Sequence, residues 1–143
     1  MTDEEILNTA FQVWSEDFYQ KTSLSMVARA LGITKPALYR HFRSKAELLS
    51  AMRSSYFDRV TLRVKDAYLR ALSLESMEES SLCITMEIAR YFLENRSDFI
   101  FWIVNMHNER HNSQRLMLSE LAKRGIDFQK LLIGGGGCSS SRL

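Results

Sequence analysis

Residues 22–47, T-S-L-S-M-V-A-R-A-L-G-I-T-K-P-A-L-Y-R-H-F-R-S-K-A-E, constrain the fold most, because helix starts, a helix stop and an apolar rhythm follow one another at short spacing. A first helix opens at Thr22 or Ser23, whose hydroxyl can accept from a first-turn N–H, and turns Leu24, Val27, Ala28 and Leu31 inward at i, i+3, i+4 and i+7. Gly32 ends it as a left-handed C-cap, and Ile33 plugs the turn. Thr34 is the next N-cap, with Pro36 in the first turn, where a missing N–H is no loss. The second helix, residues 35–42, turns Leu38 and Phe42 inward. Ala28, Gly32 and Leu38 thus provide the small contact residue, the positive-φ turn and the apolar anchor of a helix-turn-helix.

Charge indicates what such a unit meets. Between residues 21 and 45 the ionised side chains are Lys21, Arg29, Lys35, Arg40, Arg43 and Lys45, with no Asp or Glu among them. The first twenty residues are the reverse, carrying Asp3, Glu4, Glu5, Glu16 and Asp17 and no Lys or Arg. A formal net charge of +2 for the 143 residues therefore hides a cationic patch suited to a polyanion. A merely solvated helical face is the plainer explanation of a charge run; the single sign and the helix-turn-helix favour DNA. Lys35, Tyr39, Arg40 and His41 are the long or polar side chains that the core does not need, while Pro36 and Ala37 let the backbone approach base edges. Thr22, with Ser23 beside it, and Thr34 stand at helix N-termini, where hydroxyl, N–H groups and dipole suit phosphate. His41 can alternatively hydrogen-bond across the turn as a neutral imidazole.

The stretch from about residue 6 to residue 56 resembles the TetR family of bacterial transcriptional repressors, most closely over G-I-T-K-P-A-L-Y-R-H-F-R-S-K-A-E-L-L. The resemblance covers a little over a third of the chain. It departs slightly before Tyr19, where Asp17 and Phe18 stand in place of the family's usual glycine. The resemblance implies a homodimer that places two helix-turn-helix units in successive major grooves of a palindromic operator, and a helical C-terminal domain that binds a small-molecule inducer. It matches Thr22, Thr34, Tyr39, His41 and Lys45 to phosphate-contacting positions, and Lys35, Pro36, Ala37 and Arg40 to the base-facing edge.

The flanking sequence is helical in pattern. Thr2 and Glu5 form a capping box for a helix over residues 2–17, whose stripe Ile6, Leu7, Ala10, Phe11, Val13, Trp14 and Phe18 packs beneath the reading pair. Ser44 and Glu47 form a second box, opening a helix to about residue 72 with Leu48, Leu49, Met52, Tyr56, Val60, Val64, Ala67, Tyr68 and Ala71 inward, about 40 Å long. Residues 73–81 read as a polar linker, and residues 82–94 as an amphipathic helix with Leu82, Met86, Ala89, Leu93 and also Ile88 and Phe92 apolar. After a cap at Ser97 or Asp98, the run F-I-F-W-I-V-N-M is apolar on all sides and expected to be buried all round. Phe92, Phe99, Trp102, Ile103 and Met106 either line a pocket for a hydrophobic ligand or are plain core. His107 and His111 share a helix face, but without a third ligand the pattern is not a metal site. Residues 116–132 form a last amphipathic segment interrupted at Gly125.

The expected architecture is all-α: a helix-turn-helix DNA-binding domain over residues 1–47, a helical ligand-binding and dimerisation domain over 48–132, shorter than the family's, and a flexible Gly/Ser tail over 133–143. Family members carry two further helices at the dimer interface, and this chain ends before them. It is therefore expected to dimerise through another surface, such as the apolar segment after Leu82, or to bind its operator weakly as a shortened or truncated product. No secretory signal or membrane-length apolar run is present, which places the expected protein in the cytoplasm; Cys83 and Cys138 read as reduced thiols. No nucleophilic constellation suggests an enzyme, and no cofactor or metal is expected. The expected function is a DNA-binding repressor released by a small molecule, with a helical interaction or ligand-binding module carrying a vestigial DNA head as the alternative.

Overall fold

A computed structural model describes residues 1–17, 21–106 and 113–130, with the side chains of residues 104–106, 113 and 114 excepted. The described elements are α1 (Asp3–Glu16), α2 (Leu24–Leu31), α3 (Lys35–His41), α4 (Lys45–Ala71), α5 (Met77–Glu94), α6 (Arg96–Met106) and α7 (Ser113–Lys123), and there is no strand among the described residues. The chain divides into two compact units: Met1–Tyr56 with Asn95–Arg110, and Phe57–Glu94 with His111–Leu143.

The first unit is built on local stops and starts. The Thr2 hydroxyl accepts from Glu5 N at 3.2 Å, and the Glu5 carboxylate accepts from Thr2 N at 2.7 Å, a closed capping box. These bonds, first the one from the Thr2 backbone, hold the Glu5 carboxyl below its ordinary pKa. Ser23 caps α2 by accepting from Met26 N at 3.4 Å, so the helix begins at Leu24. Gly32 ends it with φ +69°, and N–H groups of Gly32 and Ile33 reach back to Arg29 O and Ala28 O, a Schellman stop. Thr34 then accepts from Ala37 N, with Pro36 inside the first turn of α3. At the start of α4 the Ser44 hydroxyl accepts from Glu47 N as the box predicts, but the Glu47 carboxylate takes Arg43 N, one residue upstream of the expected partner.

The core of this unit is Ile6, Ala10, Phe11 and Trp14 of α1 with Leu24, Val27, Ala28, Leu38, Phe42, Leu48, Met52 and Tyr56. Sequence patterning places α6 with the C-terminal helices; in the structure it packs on α1, with Phe101 edge-on to Phe11 at 4.9 Å between centroids. Trp102 stacks on Tyr56 at 5.1 Å and 8°. The expectation that α6 is buried all round is overturned: Phe101 is fully buried, whereas Phe99 is 39% and Ile103 48% exposed. Its cap also lies earlier than Ser97, since Phe99 N already bonds Asn95 O.

The second unit holds the rest of α4, with Phe57, Val60, Val64, Ala67, Tyr68 and Ala71 buried. Residues 73–81 are not a linker throughout. The Ser76 hydroxyl accepts from Glu79 N, Glu78 and Glu79 complement the helix dipole, and α5 begins at Met77. Ser80, polar in sequence, is buried because its Oγ donates to Ala71 O at 2.9 Å. The buried face of α5 is Ser80, Ile84 and Tyr91; of the expected apolar set Leu82, Met86, Ala89 and Leu93 are exposed, while Ile88 and Phe92 are half-buried. Arg63 of α4 joins α5 through Glu87 at 3.2 Å and Glu94 at 2.7 Å.

Gly125, φ +91°, stops α7 as Gly32 stops α2, with Ile126 N bonding Leu121 O at 2.9 Å. Arg124 reaches Asp58 at 2.8 Å and Glu120 at 2.7 Å beside the Phe57 ring. Burial opposes its charge, but the two carboxylates outweigh that cost and hold the guanidinium above its ordinary pKa. No described helix is long and apolar enough to cross a membrane. Phe18, Tyr19, the His107–His111 pair, Cys138 and the Gly/Ser tail lie outside the described residues.

Candidate nucleic-acid interface

The caps fix which side chains α3 presents. With Thr34 as N-cap and Leu38 fully buried, Lys35, Pro36, Tyr39 and Arg40 are exposed and Ala37 is half-buried. Lys35 Nζ lies 5.8 Å from the Tyr39 ring centroid, a cation–π contact that holds the ammonium along the outer face. Among the described residues, no carboxylate pairs with Arg29, Lys35 or Arg40, so their charge is directed to solvent. The residues assigned from sequence to base reading, Lys35, Pro36, Ala37 and Arg40, therefore stand together on one short helix.

The residues assigned to phosphate divide. Ser23 and Thr34 are exposed at their caps. Thr22 is only 3% exposed, and its carbonyl accepts a 2.6 Å bond from Lys45 Nζ. Lys45 also lies 5.9 Å from the Trp14 ring centroid, and burial pushes its ammonium below the ordinary lysine pKa. Lys45 thus ties the start of α4 to the entrance of the helix-turn-helix, besides any outward role. His41 is half-buried, and its Nδ1 stands 2.7 Å from Asp3 Oδ1 of α1. That contact escaped the sequence: Asp3 and His41 are 38 residues apart, and locally Asp3 reads only as a first-turn acid complementing the α1 dipole.

The residues assigned to a hydrophobic ligand are distributed over both units. Phe92 belongs to the second unit, edge-on to Tyr91 at 5.7 Å. Phe99, Trp102 and Ile103 belong to the first, with Trp102 against Tyr56 and Phe99 and Ile103 one turn apart on the exposed side of α6. The Met106 side chain is outside the described residues. Residues 107–112 hold both histidines of the rejected metal pattern, and no group of three His, Cys, Asp or Glu side chains that could hold a metal occurs among the described residues.

Comparison with known proteins points the same way as this geometry. Residues 6–52 match the family model for bacterial regulatory proteins of the tetR family. The chain is 39% identical over 49 residues to the HTH-type transcriptional regulator AcrR of Shigella flexneri, covering 34% of this chain and 23% of that protein. It is 28% identical over 82 residues to the uncharacterized HTH-type transcriptional regulator YuxN of Bacillus subtilis (strain 168), covering 57% and 28% respectively. It superposes with a TM-score of 0.67, at 25% identity, on the crystal structure of the TetR family transcriptional regulator PfmR from Thermus thermophilus, covering 98% of this chain and 74% of that one. The matched part thus spans about a quarter of the length of the curated relatives, at 23% and 28%.

Proposed function

We propose that this chain, whose residues 6–52 match the model for bacterial regulatory proteins of the tetR family, is a sequence-specific DNA-binding regulator of that family, acting as a repressor that a small hydrophobic ligand releases. The observation that carries the reading is the outer face of α3, where Lys35, Tyr39 and Arg40 stand exposed with no carboxylate paired to either cation among the described residues. A helix of this size fits the major groove, and an arginine there can donate two parallel bonds to guanine O6 and N7. In this assignment Lys35, Pro36, Ala37 and Arg40 read bases, while Ser23, Thr34, Tyr39, His41 and Lys45 bind phosphate. Thr22 acts from beneath, through the carbonyl that anchors Lys45.

The partner is a palindromic duplex bound by a homodimer, since two-fold protein symmetry calls for two-fold DNA symmetry. Residues 1–47 carry the DNA head, and the helical remainder through residue 132 carries ligand recognition and dimerisation. Phe99, Trp102, Ile103 and Met106 are the apolar side chains proposed to meet the ligand. Support for a link to the head comes from α6, which carries all of these and lies directly on α1.

The test is duplex selection followed by a salt titration of the selected site. Specific binding predicts a palindromic consensus and a linear fall of log K with log salt, one phosphate contact adding about 0.9 to the slope. Binding without sequence preference, lost at moderate salt, would instead favour a helical ligand-binding module with a vestigial head. Sedimentation of the complex reads the number of chains per duplex.

A further inference from the structure

The Asp3–His41 contact has a chemical consequence for any phosphate that α3 meets. An ionised carboxylate can only accept hydrogen bonds, so the His41 ring nitrogen 2.7 Å from Asp3 Oδ1, Nδ1, must carry the hydrogen. When the imidazole is neutral, that leaves Nε2 with a lone pair. A phosphate oxygen is also an acceptor, and two acceptors cannot bond. Only the imidazolium, with hydrogen on both nitrogens, can hold Asp3 through Nδ1 and donate to phosphate through Nε2. We infer that Asp3 is a positioning residue that makes the His41–phosphate contact conditional on one proton, so that DNA affinity rises as pH falls. The inference rests on the reading of His41 as a phosphate contact.

The surroundings favour this gate. α1 contributes Asp3 with Glu4 beside it, and Glu5 is turned back onto Thr2. The only ionisable residue of α2 is Arg29, which is exposed. Its own helix carries Lys35 and Arg40, both exposed, and Arg43 and Lys45 follow, the latter directed at Thr22 O. Asp3 is therefore the carboxylate in contact with a ring otherwise surrounded in sequence by cations. Removing its charge frees the ring: an asparagine can accept from Nδ1–H or donate to a bare Nδ1, and the second choice places the hydrogen on Nε2 without any proton taken up.

Two measurements test this. Duplex affinity is titrated at constant salt from about pH 8 to about pH 6, for wild type, Asp3→Asn and His41→Gln. Wild type should tighten by about ten-fold, the scale of one charge-assisted hydrogen bond. Asp3→Asn should be clearly shallower than wild type, because its neutral ring can already donate from Nε2, and at least as tight as wild type at the alkaline end. His41→Gln should be flat, which removes the Met1 ammonium, 4.0 Å from Glu5, as the source. A merely structural Asp3 would instead weaken binding equally at every pH. If wild type and Asp3→Asn keep the same pH slope, the inference is overturned while the DNA reading stands. Independently of DNA, nitrogen NMR of the free protein should show neutral His41 as the Nδ1–H tautomer in wild type and a shift toward Nε2–H in Asp3→Asn. An Nε2–H tautomer in wild type overturns the gate even if no duplex is bound, and absence of any duplex binding with the expected tautomers overturns the functional reading instead.

Discussion

Single residues in the turn carry consequences that backbone geometry makes specific. Gly32 sits at φ +69° with nothing within 4 Å of the place a Cβ would take, so space is not the constraint. Gly32→Ala should therefore cost only the left-handed backbone penalty, about 1 kcal/mol, read from the urea midpoint at unchanged slope. On α3 the roles separate by exposure and chemistry. Arg40→Ala should lose about 1–3 kcal/mol of discrimination at one base position, whereas Tyr39→Ala should weaken all duplexes alike. Competition binding against single-base operator variants distinguishes the two. Lys45→Ala removes both a cation and the tie to Thr22 O, and should lower thermal stability as well as affinity.

Among the elements, α6 shows how one face decides energetics. Phe101 is fully buried against Phe11, so Phe101→Ala should cost about 3–5 kcal/mol in chemical denaturation. Ile103, 48% exposed, should cost well under that on the same assay. The contrast marks the boundary of what the sequence discloses. α1 to α4 were legible because their signals are local: Thr2 with Glu5, Ser23, Gly32, Thr34 and Ser44 each fix a start or stop within a few residues. The start of α5 was hidden because its polar residues look like linker until Ser76 and Ser80 are seen bonding backbone. Its inward face is ambiguous in sequence because both 82-86-89-93 and 80-84-91 have helical spacing, and only the partner α4 selects between them. The outer face of α3 followed from the caps; the contact of His41 with Asp3 depended on a tertiary meeting that no window could contain.

For the whole molecule, acid response follows from carboxylates held in place. Glu5 is lowered by its Thr2 bonds, and Glu120 by its bonds to Lys123 first and then Arg124. A carboxyl with a depressed folded pKa stabilises the native state above its ordinary value, near 4.5, and loses that contribution as pH falls through the folded value. Unfolding midpoints measured from about pH 5 down to about pH 3 should therefore decline, and Glu120→Gln should decline less steeply than wild type. Asp58, held by Arg124, keeps the same guanidinium engaged from α4.

The bond from Lys45 to the Thr22 carbonyl has one more implication, for transplantation. It closes the reading segment into a ring: the chain leaves at Thr22, makes both helices and their turn, and is fastened to its own doorway on return. A graft of the segment into a foreign host must therefore carry both fasteners. Cutting at Ser23 or stopping at Ser44 would move the helices but leave their latch behind.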